Sequence, residues 1–261
     1  MCAVVVCAGA AASAQIWRGG YGGRFRPRTP NARTFAGGFN FCRLMFDSDR
    51  REKQGWSTDY PGADINLSIR LDELTRAPVT LDADGEPEYV VVRPTDDALF
   101  HCPFVIVEDG GTAYFEPDEI KRLREYLIKG GFLFVTDYHG AEAREQWRDQ
   151  ISRVLPEYPV VPLSMDHPVW HSLFEIREIP QMASIQSWRR TGGSNLERRA
   201  DGPPDAWGIS KDGGRLMVLM LHNTDIPDGW EREAEEEEYF RQYSPDAYAV
   251  GVNVVLYSMT H

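Results

Sequence analysis

Cysteine is scarce in this chain, with four in 261 residues, at positions 2, 7, 42 and 102, and none is spaced as a metal ligand. That excludes a cysteine-built zinc site. Strong histidine motifs of the H-E-x-x-H kind are also missing, so no metal is called for, and His167, His171 and His222 are only weak candidates for ligands. No run beyond the N-terminus approaches the roughly 18 consecutive apolar residues of a spanning helix, which excludes a transmembrane segment from the mature chain. There is no internal repeat, and no motif asks for a cofactor. Positive charge is in deficit. The formal net charge is −12, and Arg18, Arg24, Arg26, Arg28 and Arg33 stand in a stretch without one acid, so everything after residue 33 is more acidic still. Such a body repels nucleic acid and anionic membrane.

What is present begins with a leader. Residues 1–14 are small, apolar and uncharged and end in Ala12-Ser13-Ala14, the pattern of a cleaved signal peptide, although the positive start of such peptides is missing. The expectation is export to the periplasm or cell envelope. Residues 15–40, rich in Gly and Arg, read as a flexible leader, and residues 41–261 as one α/β domain. After cleavage Cys42 and Cys102 remain. An oxidising compartment allows them to pair, and otherwise they are small buried residues.

The stretch Glu116–Gly140 organises the domain. Pro117 suits a first helical position, Asp118 and Glu119 complement the helix N-terminus, and Ile120, Leu123 and Leu127 form an apolar stripe. Gly130 and Gly131 stop that helix. Phe132 to Val135 then reads as a parallel strand buried on both faces. Further strands are expected at 41–46, 88–93, 104–107 and 160–163, and helices at 64–76, with Asp64 as N-cap, and at 141–155. A hairpin is expected across residues 206–221, turning at Asp212-Gly213, and a last helix opens at Ser244-Pro245-Asp246. The alternation argues for a mainly parallel sheet covered on both faces.

Gly55 to Asp64, Gly130 to Val135, Asp166-His167-Pro168, His222-Asn223-Thr224-Asp225 and Tyr257 to His261 together resemble the bacterial family catalogued as domain of unknown function 4159. That family is similar to the class I glutamine-amidotransferase-like fold and its trehalose-utilisation-like relatives. The resemblance implies a flavodoxin-like three-layer sandwich with a mainly parallel sheet and an added antiparallel hairpin, generally in envelope proteins. It implies no reaction. In true amidotransferases a nucleophilic Cys follows the strand equivalent to Phe132–Val135, whereas here the turn offers Asp137, Tyr138 and His139, so thiolate acyl transfer is not expected.

Ligands of open α/β sheets bind beyond the carboxyl ends of the strands. Polar groups expected there are Asp137 and His139, then Asp166, His167 and His171, then His222, Asp225 and Asp228. Asp166 is also a natural N-cap, and the 222–225 segment reads as a turn whose side chains cap its own backbone. Tyr60, Asp64 and Trp230 join the ligand-binding candidates, although loop aromatics more often plug the sheet. The acidic run Glu231, Glu233 and 235–238 reads as a solvated segment. The expected function is a ligand- or partner-binding module of the envelope, taking a small polar ligand or a protein partner. The rival is a hydrolase on a sugar or amide that uses Asp137 and His139.

Overall fold

Strands form where the chain is apolar on both faces, and the first of them is Phe41–Leu44 (β1), every residue of which is buried. The computed structural model describes residues 26–31, 34–35, 37–48, 55–198, 202–212 and 214–261. The expected signal peptide lies outside the described residues. In chain order β1 is followed by β2 (Asp47–Ser48), α1 (Gly62–Leu74), β3 (Tyr89–Val92), β4 (Val105–Glu108) and β5 (Ala113–Tyr114). Next come α2 (Pro117–Ile128), β6 (Leu133–Thr136), α3 (Gly140–Val154), β7 (Val161–Pro162) and α4 (Ile185–Thr191). The chain closes with β8 (Asp205–Ser210), β9 (Leu216–His222), α5 (Asp228–Glu231) and α6 (Glu237–Thr260).

Seven strands form one sheet in the order β3-β1-β4-β6-β9-β8-β7. The first five are mutually parallel, and at one edge β8 pairs antiparallel with β9 and β7 antiparallel with β8. Taken by themselves, the parallel strands follow the flavodoxin order, second-first-third-fourth-fifth along the chain. Their switch point lies between β1 and β4, and in sheets of this kind ligands bind beyond the strand ends at that point. β2 and β5 make a small separate antiparallel pair. One face of the sheet packs on α1, α4, α5 and α6, through Leu67, Ile185, Trp230 and Val250 among others. The opposite face packs on α2 and α3, through Leu123, Leu127, Trp147 and Ile151. This is a three-layer sandwich.

The organising stretch folds as its residues dictate. Glu116 and Glu119 form a reciprocal capping box with Pro117 at the first position of α2. Gly130 takes a φ of 120°, and a Cβ on Gly131 would lie 2.3 Å from the Tyr126 ring. That ring is held because its hydroxyl accepts from Phe132 N at 3.1 Å and donates to Cys102 O at 2.8 Å. The two glycines are therefore required by a turn and by a close approach.

Several expectations need correction. Asp64 does not cap α1: the helix starts two residues earlier, with Pro61 at its cap, and Asp64 is fully buried inside the first turn. A buried cation on β1 claims its carboxylate. α6 starts at Glu237, not at Ser244, and carries Pro245 within it. Pro245 lies in the helix, which continues to Thr260 because the apolar face of α6 is buried against the sheet. Asp166 does not cap the turn at Pro168–His171, since His167 takes that place and accepts from Val169 N at 3.2 Å. The acidic run is not solvated throughout: Glu231 and Glu233 are buried, and Glu233 pairs with Arg70 at 2.6 Å.

Cys42 and Cys102 form a disulfide that ties β1 to the segment entering β4. Part of the expected leader is described as well. Arg28 accepts from Val91 N at 2.9 Å, and its guanidinium contacts Asp82 at 3.2 Å and Glu88 at 3.1 Å.

Candidate functional site: a buried carboxylate cluster

Side chains alternate between the faces of a strand, so Phe41, Ile106 and Phe134 share the α1/α5/α6 face with Arg43, Glu108 and Thr136. On that face β1, β4 and β6 are apolar at first and polar near their carboxyl ends. Buried polar groups need partners, and the loops beyond the strands bring them.

Arg43, fully buried, is the main cation there. Its Nε donates to both carboxylate oxygens of Asp64 at 3.1 Å, its Nη2 to Asp64 and, at 2.8 Å, to Glu108, and its Nη1 to Thr58 O at 2.8 Å and Trp56 O at 3.2 Å. The Tyr60 ring lies beside the guanidinium, 5.7 Å from its centre. This ion network fixes the loop that carries Asp59.

Around Asp59 gather Asp137 from the β6–α3 turn, Asp225 from the segment after β9, and Asp228 and Glu231 from α5. Ligand oxygens of Asp59, Asp137 and Asp225 lie within 4.8 Å of one another, and so do those of Asp59, Asp228 and Glu231. All but Asp137 are buried, and the Asp137 side chain keeps 15% exposure. Asp59 and Asp137 take φ of 57° and 53°, left-handed conformations that aspartate tolerates and that gather at functional sites. Cations at hand are few. Arg232 Nε is 3.3 Å from Asp228 and 2.5 Å from Glu231, and His139 Nε2 is 3.4 Å from Asp137 Oδ1. Arg198 acts on Asp137 from farther away.

Removal from water and mutual repulsion hold these acids toward their neutral forms. Asp59, Asp225 and Asp228 are pushed well above the ordinary carboxylate range, first by desolvation and then by a neighbouring carboxylate, Asp225 for Asp59, Asp137 for Asp225 and Glu231 for Asp228. Glu231 is raised to about 7, chiefly by burial. Glu108 is raised to about 8 by burial, which outweighs its contact with Arg43. Asp137 is raised by burial although His139 opposes it. Oxygens of this kind, closely spaced and short of cations, suit a hard divalent ion.

Of the residues expected from sequence, the fold brings Asp137, His139, Asp225 and Asp228 together, and Asp64 joins them through Arg43. His222 faces the other side of the sheet. Its Nε2 bonds to Gly140 O at 3.0 Å, its ring lies 5.2 Å from that of Tyr138, and it holds the start of α3 against β9. His167 sits at the opposite end of the strands, 5.4 Å from the Tyr257 ring, which itself touches Phe132 just before β6. His171 goes with it, bonded to Met165 O at 2.8 Å, and Asp166 is exposed beside them. Trp230 is wholly buried, against Gly251 of α6, and its carbonyl accepts from Asn66 Nδ2 at 2.9 Å. Tyr60 is turned toward the leader, its hydroxyl accepting from Arg28 N at 3.0 Å. In the 222–225 turn, Asp225 Oδ1 accepts from Asp228 N at 3.1 Å, while Asn223 Oδ1 accepts from Gly140 N at 2.9 Å.

Sequence reasoning missed Asp59, Glu108 and Arg43, and it placed Glu231 in solvent. One signal was there: an arginine inside the run Phe41 to Phe46 requires buried carboxylates nearby.

A search of curated proteins gives no match. The family model described as domain of unknown function (DUF4159) matches residues 41–259, from the first residue of β1 almost to the end of α6. On the strength of that match, which spans the whole sandwich and the carboxylate cluster, the chain belongs to the DUF4159 family.

Proposed function

We propose that the protein is an exported module of the cell envelope, of the amidotransferase-like class, that works by binding a small polar ligand at the strand-end crevice. The observation that carries this reading is the turn after β6. It is a strand-to-helix elbow with a left-handed residue, the position from which elbow enzymes present a nucleophile, and here that residue is Asp137. The domain's two cysteines are bonded to each other and lie on the opposite face. A disulfide is also what an oxidising compartment permits, in keeping with the Ala12-Ser13-Ala14 cleavage pattern. No helix among the described residues is long and apolar enough to cross a membrane. Buried acids repel anions, so the ligand is neutral or cationic, of the sugar or amine class.

The test is a thermal-shift panel of neutral sugars and alkylamines on wild type and on Asp137→Asn/His139→Ala. A ligand at about 100 times its dissociation constant stabilises wild type by about 2.7 kcal/mol, which is read as a raised Tm. The double variant, folded by circular dichroism, should show no such rise. An equal rise in both proteins, or none with any compound, overturns the reading.

A second reading, hydrolysis of a sugar or amide, is favoured by the 3.4 Å separation of His139 Nε2 from Asp137 Oδ1, a carboxylate–imidazole couple of the kind that abstracts a proton from water. Turnover retained by the same double variant would sink it.

A further inference from the structure

We propose that Asp59, Asp137 and Asp225 bind a hard divalent cation of the Ca2+ or Mn2+ class. The inference rests on the reading of the crevice as a binding site and names what it holds first.

The two carboxylate groups of the cluster share Asp59 but differ in what already compensates them. Asp228 and Glu231 have Arg232, and Asp228 also accepts from Ile185 N and, at 3.2 Å, from Tyr239 Oη. These two acids are committed to holding α5 and α4. The other group has less. Asp225 accepts from Asp228 N at 3.1 Å, Asp137 meets His139, and Asp59 shares a hydrogen bond with Glu231 but is otherwise surrounded by carboxylates. Three carboxylates drawn within 4.8 Å in a dry site cannot all ionise unless something positive lies among them.

A second observation, independent of the count of acids, points the same way. The Thr136 hydroxyl, completely buried at the end of β6 and adjoining Asp137, has no hydrogen-bond partner among the described residues. It lies on the face of the sheet that carries Arg43 and Glu108, across the ladder from Glu108 itself. Nor does either Asp59 Oδ2 or Glu108 Oε2 have a hydrogen-bond partner, although both residues are more than nine-tenths buried. Buried oxygens are almost always satisfied; Thr136 adjoins Asp137 and pairs with Glu108, whose charge acts on Asp59 and is acted on by Asp137, so these orphans at the cluster mark a place for a ligand that supplies positive charge and its own water.

The donor set selects the ion. Carboxylates and a hydroxyl, with no thiolate, suit Ca2+ or Mn2+ better than Zn2+, which prefers nitrogen and sulfur. Mg2+ usually keeps most of its waters and takes one or two carboxylates, which a site of three carboxylates does not suit. Asp137 is the least buried of the three, and so the ion enters past the β6–α3 turn.

The experiment uses the full chain, stripped with EDTA and exchanged into metal-free buffer, then titrated separately with CaCl2, MnCl2, MgCl2 and ZnCl2 by calorimetry. The expected result is one equivalent of Ca2+ or Mn2+ bound with a dissociation constant below about 10 µM. Binding should weaken at least tenfold in Asp59→Asn and Asp225→Asn. It should be unchanged in Asp166→Asn, which removes an exposed acid at the far end of the sheet. If Asp59→Asn does not fold, Asp137→Asn, at the half-open edge, gives the same reading. No uptake of Ca2+ or Mn2+ by wild type overturns the proposal, as does uptake that survives in the folded cluster variants. The thermal-shift panel, run on the same metal-free protein, separates the two ideas. Sugar or amine stabilisation without ion uptake leaves the binding module standing and removes the metal. Ion uptake without any organic ligand does the reverse.

Discussion

Arg43 shows at the scale of one side chain how this chain spends its buried charge. Six donor contacts tie it to Asp64, Glu108 and the carbonyls of the loop before α1, and no part of it reaches solvent. Removing it leaves two carboxylates buried without their partner, which costs about 3–5 kcal/mol. Arg43→Met should therefore lower the unfolding free energy from urea titration by that amount, and a loss under 1 kcal/mol would show that the network contributes little. The residue was plain in the sequence, but its meaning was not. Asp64 looked like a helix cap because capping is a local pattern, whereas its partner lies 21 residues away on another element. Asp137 and His139 were legible because they follow an unmistakable buried strand. Asp59 was not, since an aspartate in a polar loop has no local mark of burial.

Elements were easier to read than sites. Strands β1, β3, β4 and β6 and helices α1, α2 and α3 follow from apolar runs, stripes and glycine stops, all of them local. The start of α6 was misplaced because Ser-Pro-Asp is a strong local start signal, and only burial of the helix against the sheet overrides it. The disulfide belongs to this scale too. It closes a loop of 60 residues from β1 through α1 and β3 to the entry of β4. By the chain-entropy argument such a loop contributes about 4 kcal/mol, so the oxidised protein should resist urea more than the reduced one by up to that much. Equal midpoints in the presence and absence of reductant would show that the two sulfurs do not pair in solution.

For the molecule as a whole the cluster sets the response to pH. Asp59, Asp225, Asp228, Glu231 and Glu108 all have folded-state values raised above their ordinary ones, so the folded protein holds more protons than the unfolded chain between about pH 4 and the raised values. Stability then falls as pH rises through that window, and the loss continues through the values of about 7 for Glu231 and about 8 for Glu108. Metal-free protein should show a urea midpoint that declines from pH 5 to pH 8, and saturating Ca2+ or Mn2+ should flatten the decline. A midpoint that climbs over the same range in chelator would contradict the raised values. The sequence by itself determined the class of the fold, because alternating apolar runs and amphipathic stripes are written in neighbouring residues and need no long-range information. It also determined that a thiol could not follow β6. Only the tertiary structure decided that Asp59, Asp137, Asp225, Asp228 and Glu231 would meet. They come from three segments far apart in the chain, and their burial, which makes them a site and not a solvated surface, exists only once α1, α5 and α6 close over the ends of the strands.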